Sequence, residues 1–147
     1  MSARDDVVIR FGSPEGERLE FVMGRPNFSR RFTSLEDRVI AQIVVQAATS
    51  HGSARVSLMI LDFTRLLPEL LALYGSLRGT ATFTTLEDQV GFTITGDGTG
   101  QMQLRGFLRD RPGSDNRLEY TLPIDRTLLW HSITEIDEFL FAATNGI

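Results

Sequence analysis

The stretch most suggestive of a chemical site is the glycine-rich segment TITGDGTGQMQLRG, residues 93–106. Glycines around a carboxylate can cradle a phosphate with backbone N–H groups or contribute to a calcium site. A phosphate-binding loop leads into a helix, whereas here a strand of alternating apolar residues follows. A calcium site needs more oxygen ligands than the single carboxylate of Asp97 provides. The segment is therefore predicted to be a hairpin turn over 97–99 that pairs Ile94 with Met102.

The other reactive side chains do not form a catalytic pattern. The chain has no cysteine, which excludes thiolate chemistry, and its 15 basic residues are all arginine, which excludes a lysine base. Two histidines, His51 and His131, are too few for a histidine-only metal site. His131 and Ser132 are neighbours on a predicted helix and point apart, so they cannot act as base and nucleophile. We expect a protein that is not an enzyme and needs no cofactor and no metal.

Arginine and aromatic side chains are better candidates for a binding surface. The loop GRPNFSRRFTS interleaves arginines with phenylalanines, which suits contacts with an acidic protein or with an RNA backbone. Phe107 falls on the outer face of a predicted strand, and Trp130 lies just off the buried stripe of the last helix. The candidate partner-binding residues are Arg25, Phe28, Arg30, Arg31, Phe107 and Trp130.

Composition narrows the classes of partner. With 147 residues, of which 41% are hydrophobic, the chain is expected to be a single globular domain spanning 1–147. A net charge of -4 argues against nucleic acid as the partner. The N-terminus lacks the apolar core of a signal peptide, and no segment approaches the roughly 20 apolar residues of a membrane span. A cytoplasmic protein without a membrane partner is therefore expected.

The pattern of apolar residues predicts an α+β fold with the element order ββββ-α-ββββ-α. Alternating segments predict an antiparallel sheet of about eight strands, with two helices packed on one face. Asp62 is predicted to cap the first helix and Gly79 to end it, while Pro123 ends the last strand and Asp125 caps the final helix. That helix should bury one stripe: Leu129, Ile133, Ile136, Leu140 and Ala143. The two halves share this order but no readable sequence repeat.

Three stretches of the chain resemble the WapI-type immunity proteins and their uncharacterised bacterial relatives. They are LDFTRLLPELLALYGSLRGTATF, VGFTITGDGTGQMQLRGFL and YTLPIDRTLL, and the resemblance covers residues 56–141. In the third stretch Arg126 stands where the family has glutamine. The resemblance implies a cytosolic bacterial protein that binds and blocks a cognate toxin domain. An acidic inhibitor would suit a basic, nuclease-like toxin, because opposite charges steer the two proteins together.

Two other functions are compatible with the sequence. The protein could be a small-ligand-binding domain with a pocket between sheet and helices, lined by Phe83, Phe92, Tyr120 and Trp130. It could also be a homodimeric structural module that uses an exposed edge strand or the face around Phe107.

Overall fold

The computed structural model describes residues 6–24 and 32–144. Their elements follow the predicted order, which confirms the α+β class. The strands are β1 (Val7–Gly12), β2 (Arg18–Met23), β3 (Arg38–Gln46), β4 (His51–Met59), β5 (Arg78–Phe83), β6 (Val90–Asp97), β7 (Gln101–Arg109) and β8 (Arg117–Asp125). The helices are α1 (Ile60–Ser76) and α2 (Arg126–Thr144). Within the described ranges, no helix has the length and apolar character needed to cross a membrane.

The eight strands divide into two antiparallel four-stranded sheets. β1 to β4 form the first sheet and β5 to β8 the second, and in each sheet every strand pairs with the next one in the chain. The inner faces meet through aromatic rings: the Phe11 and Phe92 centroids are 4.8 Å apart, and those of Phe21 and Phe83 are 5.4 Å apart. Phe63 of α1 lies against Phe21 and Phe83, so one aromatic cluster joins a helix to both sheets.

Each helix packs against the first strand of the other half. α1 follows the first sheet but lies against β5, and α2 follows the second sheet but lies against β1. A glutamate makes the equivalent contact in both places. The carboxylate of Glu69 accepts the Thr82 N–H at 2.9 Å, and that of Glu135 accepts the Arg10 N–H at 2.8 Å. Both glutamates are the tenth residue of their helix. The two halves therefore repeat in structure although not in readable sequence.

The glycine-rich segment is a three-residue hairpin loop, but its register differs from the prediction. Ile94 pairs with Leu104, and Met102 pairs with Gly96, so the predicted Ile94–Met102 pairing is wrong by two residues. β6 continues to Asp97, and the loop consists of residues 98–100. A shift of two residues keeps the same side chains on the inner face, which is why the apolar pattern did not reveal it.

The first helix begins and ends at positions other than those predicted. Its first residue is Ile60, and Asp62 lies in the first turn, where its carboxylate accepts the Met59 N–H at 2.8 Å. The prediction that Asp62 precedes the helix as its cap is therefore wrong. At the other end Leu77 takes the left-handed conformation with φ 60°, and Gly79 belongs to β5. The predicted capping role of Gly79 is wrong as well.

The last strand and the last helix are largely as predicted. The Asp125 carboxylate accepts the Leu128 N–H at 2.8 Å, which confirms the predicted cap. β8 continues through Pro123 rather than stopping there, because β8 is an edge strand and the missing N–H removes no ladder hydrogen bond. The buried side of α2 consists of Leu129, Ser132, Ile133, Ile136, Phe139 and Ala143, whereas Leu140 is only half-buried.

Candidate functional site

Of the six candidate binding residues, the structure describes two, and it places them on different surfaces. Arg25, Phe28, Arg30 and Arg31 lie outside the described residues. Phe107 is on the outer face of the second sheet, in β7, and Trp130 is on the exposed side of α2. The two described candidates therefore belong to different surfaces, which are considered in turn.

Phe107 is held by neighbouring side chains of its own sheet. The guanidinium of Arg117 lies 4.2 Å from the centroid of the ring, and that of Arg109 lies 5.6 Å from it. Gly91, the cross-strand partner on β6, leaves room for the ring, since a Cβ atom there would come within 2.8 Å of it. The ring is half-buried by these contacts. Phe107 thus contributes cation–π contacts within the sheet and offers little free apolar surface.

Trp130 lies where α2 meets α1. Its ring packs on Tyr74 with 5.0 Å between the centroids, and the guanidinium of Arg126 covers Tyr74 at 4.5 Å. The tryptophan nevertheless remains 47% exposed. Tryptophan combines a large apolar area with an N–H donor, and it is enriched among the residues that dominate binding energy at protein interfaces.

A stripe of residues continues from Trp130 along the exposed side of α2. Thr134, Asp137 and Phe141 follow at helical spacing, so they lie on the same face. Phe141 is 71% exposed, and at 1.5 Å per residue it stands about 16 Å from Trp130. We call this surface the α2 ridge and define it as Trp130, Thr134, Asp137, Glu138 and Phe141. Sequence reasoning missed Phe141, although its spacing of three turns from Trp130 was visible.

Acidic groups dominate the exposed side of α2. The carboxylates of Asp137 and Glu138 make neither an ion pair nor a hydrogen bond with any residue that the structure describes. Glu135 lies beside them, and its burial raises the pKa of its carboxyl, although the Arg10 N–H and the charge of Arg10 act in the opposite direction. The ridge therefore combines exposed aromatic surface with unpaired negative charge.

A cleft of about 370 Å³ adjoins Trp130, between α2 and the end of β1. A hydrogen bond joins α2 to β1 at Arg10, whose carbonyl accepts the Ser132 hydroxyl at 2.6 Å. The lining residues of the cleft are Arg10, Gly12, Pro14, Trp130, His131, Thr134 and Glu135. This cleft is not the pocket predicted between sheet and helices. Of the residues predicted to line that pocket, Phe83 and Phe92 stack within the core with 5.2 Å between their ring centroids, whereas Trp130 is at the surface.

The carboxylate of Asp97, at the end of β6, stabilises the turn of the glycine-rich hairpin. Asp97 accepts the backbone N–H of Thr99 at 3.1 Å and its hydroxyl at 2.7 Å, and these bonds lower the pKa of the Asp97 carboxyl. Across residues 6–24 and 32–144, no group of three or more histidine or acidic side chains is arranged to hold a metal ion.

Comparison with known protein families identifies the family of this chain. Residues 10–142 match the family described as "WapI: Immunity protein WapI-like family". The chain belongs to the WapI-like immunity protein family. The match includes β2, β3 and β4, so it extends the resemblance seen over residues 56–141 into the first sheet.

Two further comparisons add no functional information to the family assignment. No curated protein matches the sequence. A solved structure described as "Crystal structures of trypanosoma bruciei MRP1/MRP2" is 16% identical, with a TM-score of 0.49, and the match covers 95% of this chain and 85% of that one. We draw no conclusion from a likeness at this level.

Proposed function

We propose that this protein is a cytoplasmic immunity protein that binds and neutralises a cognate toxin domain without catalysing a reaction. The observation that carries the proposal is the family match over residues 10–142, which spans both sheets and both helices. The exposed aromatic side chains of α2 support a role in binding another protein, because buried aromatic anchors supply much of the energy of such complexes.

Neutralisation by binding requires the inhibitor to cover the active surface of the toxin or to hold the toxin in an inactive conformation. Neither route needs a nucleophile or a metal on the inhibitor. The net charge of -4 would speed association with a basic toxin, since complementary charge raises the rate of encounter. Of the two described candidates, Trp130 has the larger exposed aromatic surface and Phe107 is the less suitable.

The proposal is tested with the toxin domain encoded beside this gene. Co-expression should restore growth of cells that the toxin alone kills, and the two purified proteins should elute together from a sizing column. Growth arrest that persists in the presence of this protein, or the absence of a toxin gene in the neighbourhood, would contradict the proposal.

A second measurement separates binding from catalysis. Toxin recovered from the complex in denaturant and then refolded should have an unchanged mass and its full activity. A toxin that emerges with a changed mass, or that stays inactive after separation, would mean that this protein acts by chemical modification instead. Light scattering of the protein alone tests the homodimeric alternative, which predicts twice the monomer mass.

A further inference from the structure

The two helices occupy equivalent places but differ on their exposed sides. Aligned on Glu69 and Glu135, the buried positions correspond: Phe63 with Leu129, Leu66 with Ser132, Leu70 with Ile136, and Leu73 with Phe139. On the exposed side the four α1 residues Thr64, Pro68, Leu71 and Gly75 stand where α2 has Trp130, Thr134, Asp137 and Phe141. Helix α1 therefore covers its strand without an aromatic residue at either end of the stripe.

This difference indicates that the aromatic residues of the ridge are not needed for folding. Phe141 is 71% exposed, so it contributes little to the core. Covering exposed apolar surface with a partner favours binding in proportion to the area removed from water. The exposed parts of Trp130 and Phe141 therefore offer apolar surface to a partner at two points about 16 Å apart on one helix.

The charges between these two anchors indicate the chemistry of the partner. Asp137 and Glu138 lie between Trp130 and Phe141, and no cationic group among the described residues forms an ion pair with either of them. Arg126, the one arginine of α2, lies a turn before Trp130 and covers the ring of Tyr74. A partner with an acidic surface would be repelled here, whereas arginine or lysine side chains would pair with these carboxylates.

We propose that the α2 ridge is the surface that docks the toxin domain, and that the toxin presents basic side chains around an apolar patch at this contact. The inference rests on the proposed immunity function and names the surface that performs it. Trp130 and Phe141 anchor the two ends of the contact.

The test uses the toxin domain encoded beside this gene and titration calorimetry with purified proteins. The double variant Trp130→Ala with Phe141→Ala should weaken binding at least about 30-fold, the size expected when interface anchors are truncated. Leu86→Ala is the matched control, since Leu86 is 72% exposed and lies outside the ridge, in the loop between β5 and β6; it should change the affinity less than about twofold. Unfolding curves of Phe141→Ala and Leu86→Ala should overlay that of the unmodified protein, because these side chains are exposed. The double variant also loses the packing of Trp130 on Tyr74, so its unfolding curve is recorded to verify that it is folded at the temperature of the titration.

A second pair of variants tests the charge of the partner. Asp137→Asn with Glu138→Gln should slow association and flatten its dependence on salt, because two carboxylates that attract a basic surface are removed. Glu15→Gln with Asp115→Asn removes two exposed carboxylates outside the ridge and should leave both quantities close to those of the unmodified protein.

The outcomes separate the two proposals. If the unmodified protein binds the toxin and the double aromatic variant binds it equally well, the docking surface is wrong while the immunity function stands. If the unmodified protein does not bind the toxin, both proposals are overturned. If the aromatic variant loses binding but the ridge charge variant associates at the normal rate at every salt concentration, a basic partner surface is wrong.

Discussion

Helices α1 and α2 perform the same structural task in different surroundings. Each covers the first strand of the opposite half and accepts one strand N–H with a glutamate. The contact between Glu69 and Thr82 is exposed to solvent, whereas the contact between Glu135 and Arg10 is partly buried. Each helix also bonds its strand through a serine, but at different places. Ser132 donates to the Arg10 carbonyl from within α2, whereas Ser76 is the last residue of α1 and donates to the carbonyl of Arg78 at the start of β5.

This difference shows which parts of a repeated element are constrained. The glutamate that bonds the strand and most of the buried positions are filled in both helices by similar residues, and the exception is Leu66, which is equivalent to Ser132. The exposed positions differ, so that α1 presents proline and glycine where α2 presents threonine and phenylalanine. The ridge lies on the side of α2 at which the two helices differ.

The largest expected effect concerns the equivalent core positions. Leu70→Ala and Ile136→Ala each remove a fully buried side chain and should lower the free energy of unfolding by about 2–5 kcal/mol. Because the two sites are equivalent, the two losses should agree within about 1 kcal/mol when the protein is unfolded in urea. A loss confined to one of the two variants would mean that the halves do not support the fold equally.

The next effect is specific to α2. Ser132→Ala leaves the Arg10 carbonyl without its hydroxyl donor and should cost about 1–3 kcal/mol of unfolding free energy. Thr134→Ala is the control: its hydroxyl bonds within the helix, to the Trp130 carbonyl, and is exposed, so the change should stay within about 0.5 kcal/mol. Equal stability of the two variants in urea would show that the hydrogen bond from Ser132 to Arg10 is unimportant.

A smaller effect of opposite sign is expected in α1. Gly75 occupies the position equivalent to Phe141, and a Cβ atom there would meet no atom within 4 Å. Gly75→Ala should therefore stabilise the protein by about 0.5–1 kcal/mol, since alanine favours the helix. Gly96→Ala should destabilise it, because its Cβ atom would lie 2.5 Å from the Leu77 carbonyl oxygen. Thermal unfolding that gave both changes the same sign would contradict this account of the two glycines.

The smallest effect concerns pH. Burial raises the pKa of the Glu135 carboxyl above its ordinary value of 4.5, so the folded state holds this proton more tightly than the unfolded state does. This proton stabilises the folded protein at pH values below the ordinary pKa. The stabilisation is lost as the pH rises through the raised pKa of the folded state. Glu135→Gln keeps an oxygen for the Arg10 N–H and should remove that part of the pH dependence. An NMR titration that placed the pKa at or below 4.5 would contradict the prediction.

The sequence was sufficient for features that depend on local patterns. Alternation of apolar residues predicted the strands and their order along the chain. The cap at Asp125 was predicted from its residue type and place. Phe141 could also have been identified, since helical spacing alone places it in line with Trp130.

Features that depend on contacts between distant residues could not be predicted. Arg10 and Glu135 are 125 residues apart, and nothing local to either residue indicates their hydrogen bond. The register of the β6–β7 hairpin also depends on such a contact, because the Gly98 N–H donates to the Leu77 carbonyl at 2.8 Å. Both registers bury the same side chains, so the contact with the end of α1 distinguishes them and the apolar pattern does not.

The crossed placement of the helices has a consequence for any attempt to divide the protein. In a fragment that ended after α1, this helix would lack β5, the strand on which it packs. The edge strand β1 would lack α2, the helix that covers it. Such an edge has unpaired N–H and C=O groups and tends to pair with other chains. In a pair of such fragments, the helix of each copy could cover the first strand of the other copy, as the helices of the two halves do here. We therefore expect the intact chain to unfold in one transition, and the isolated first half to be recovered as an exchanged pair or as aggregate.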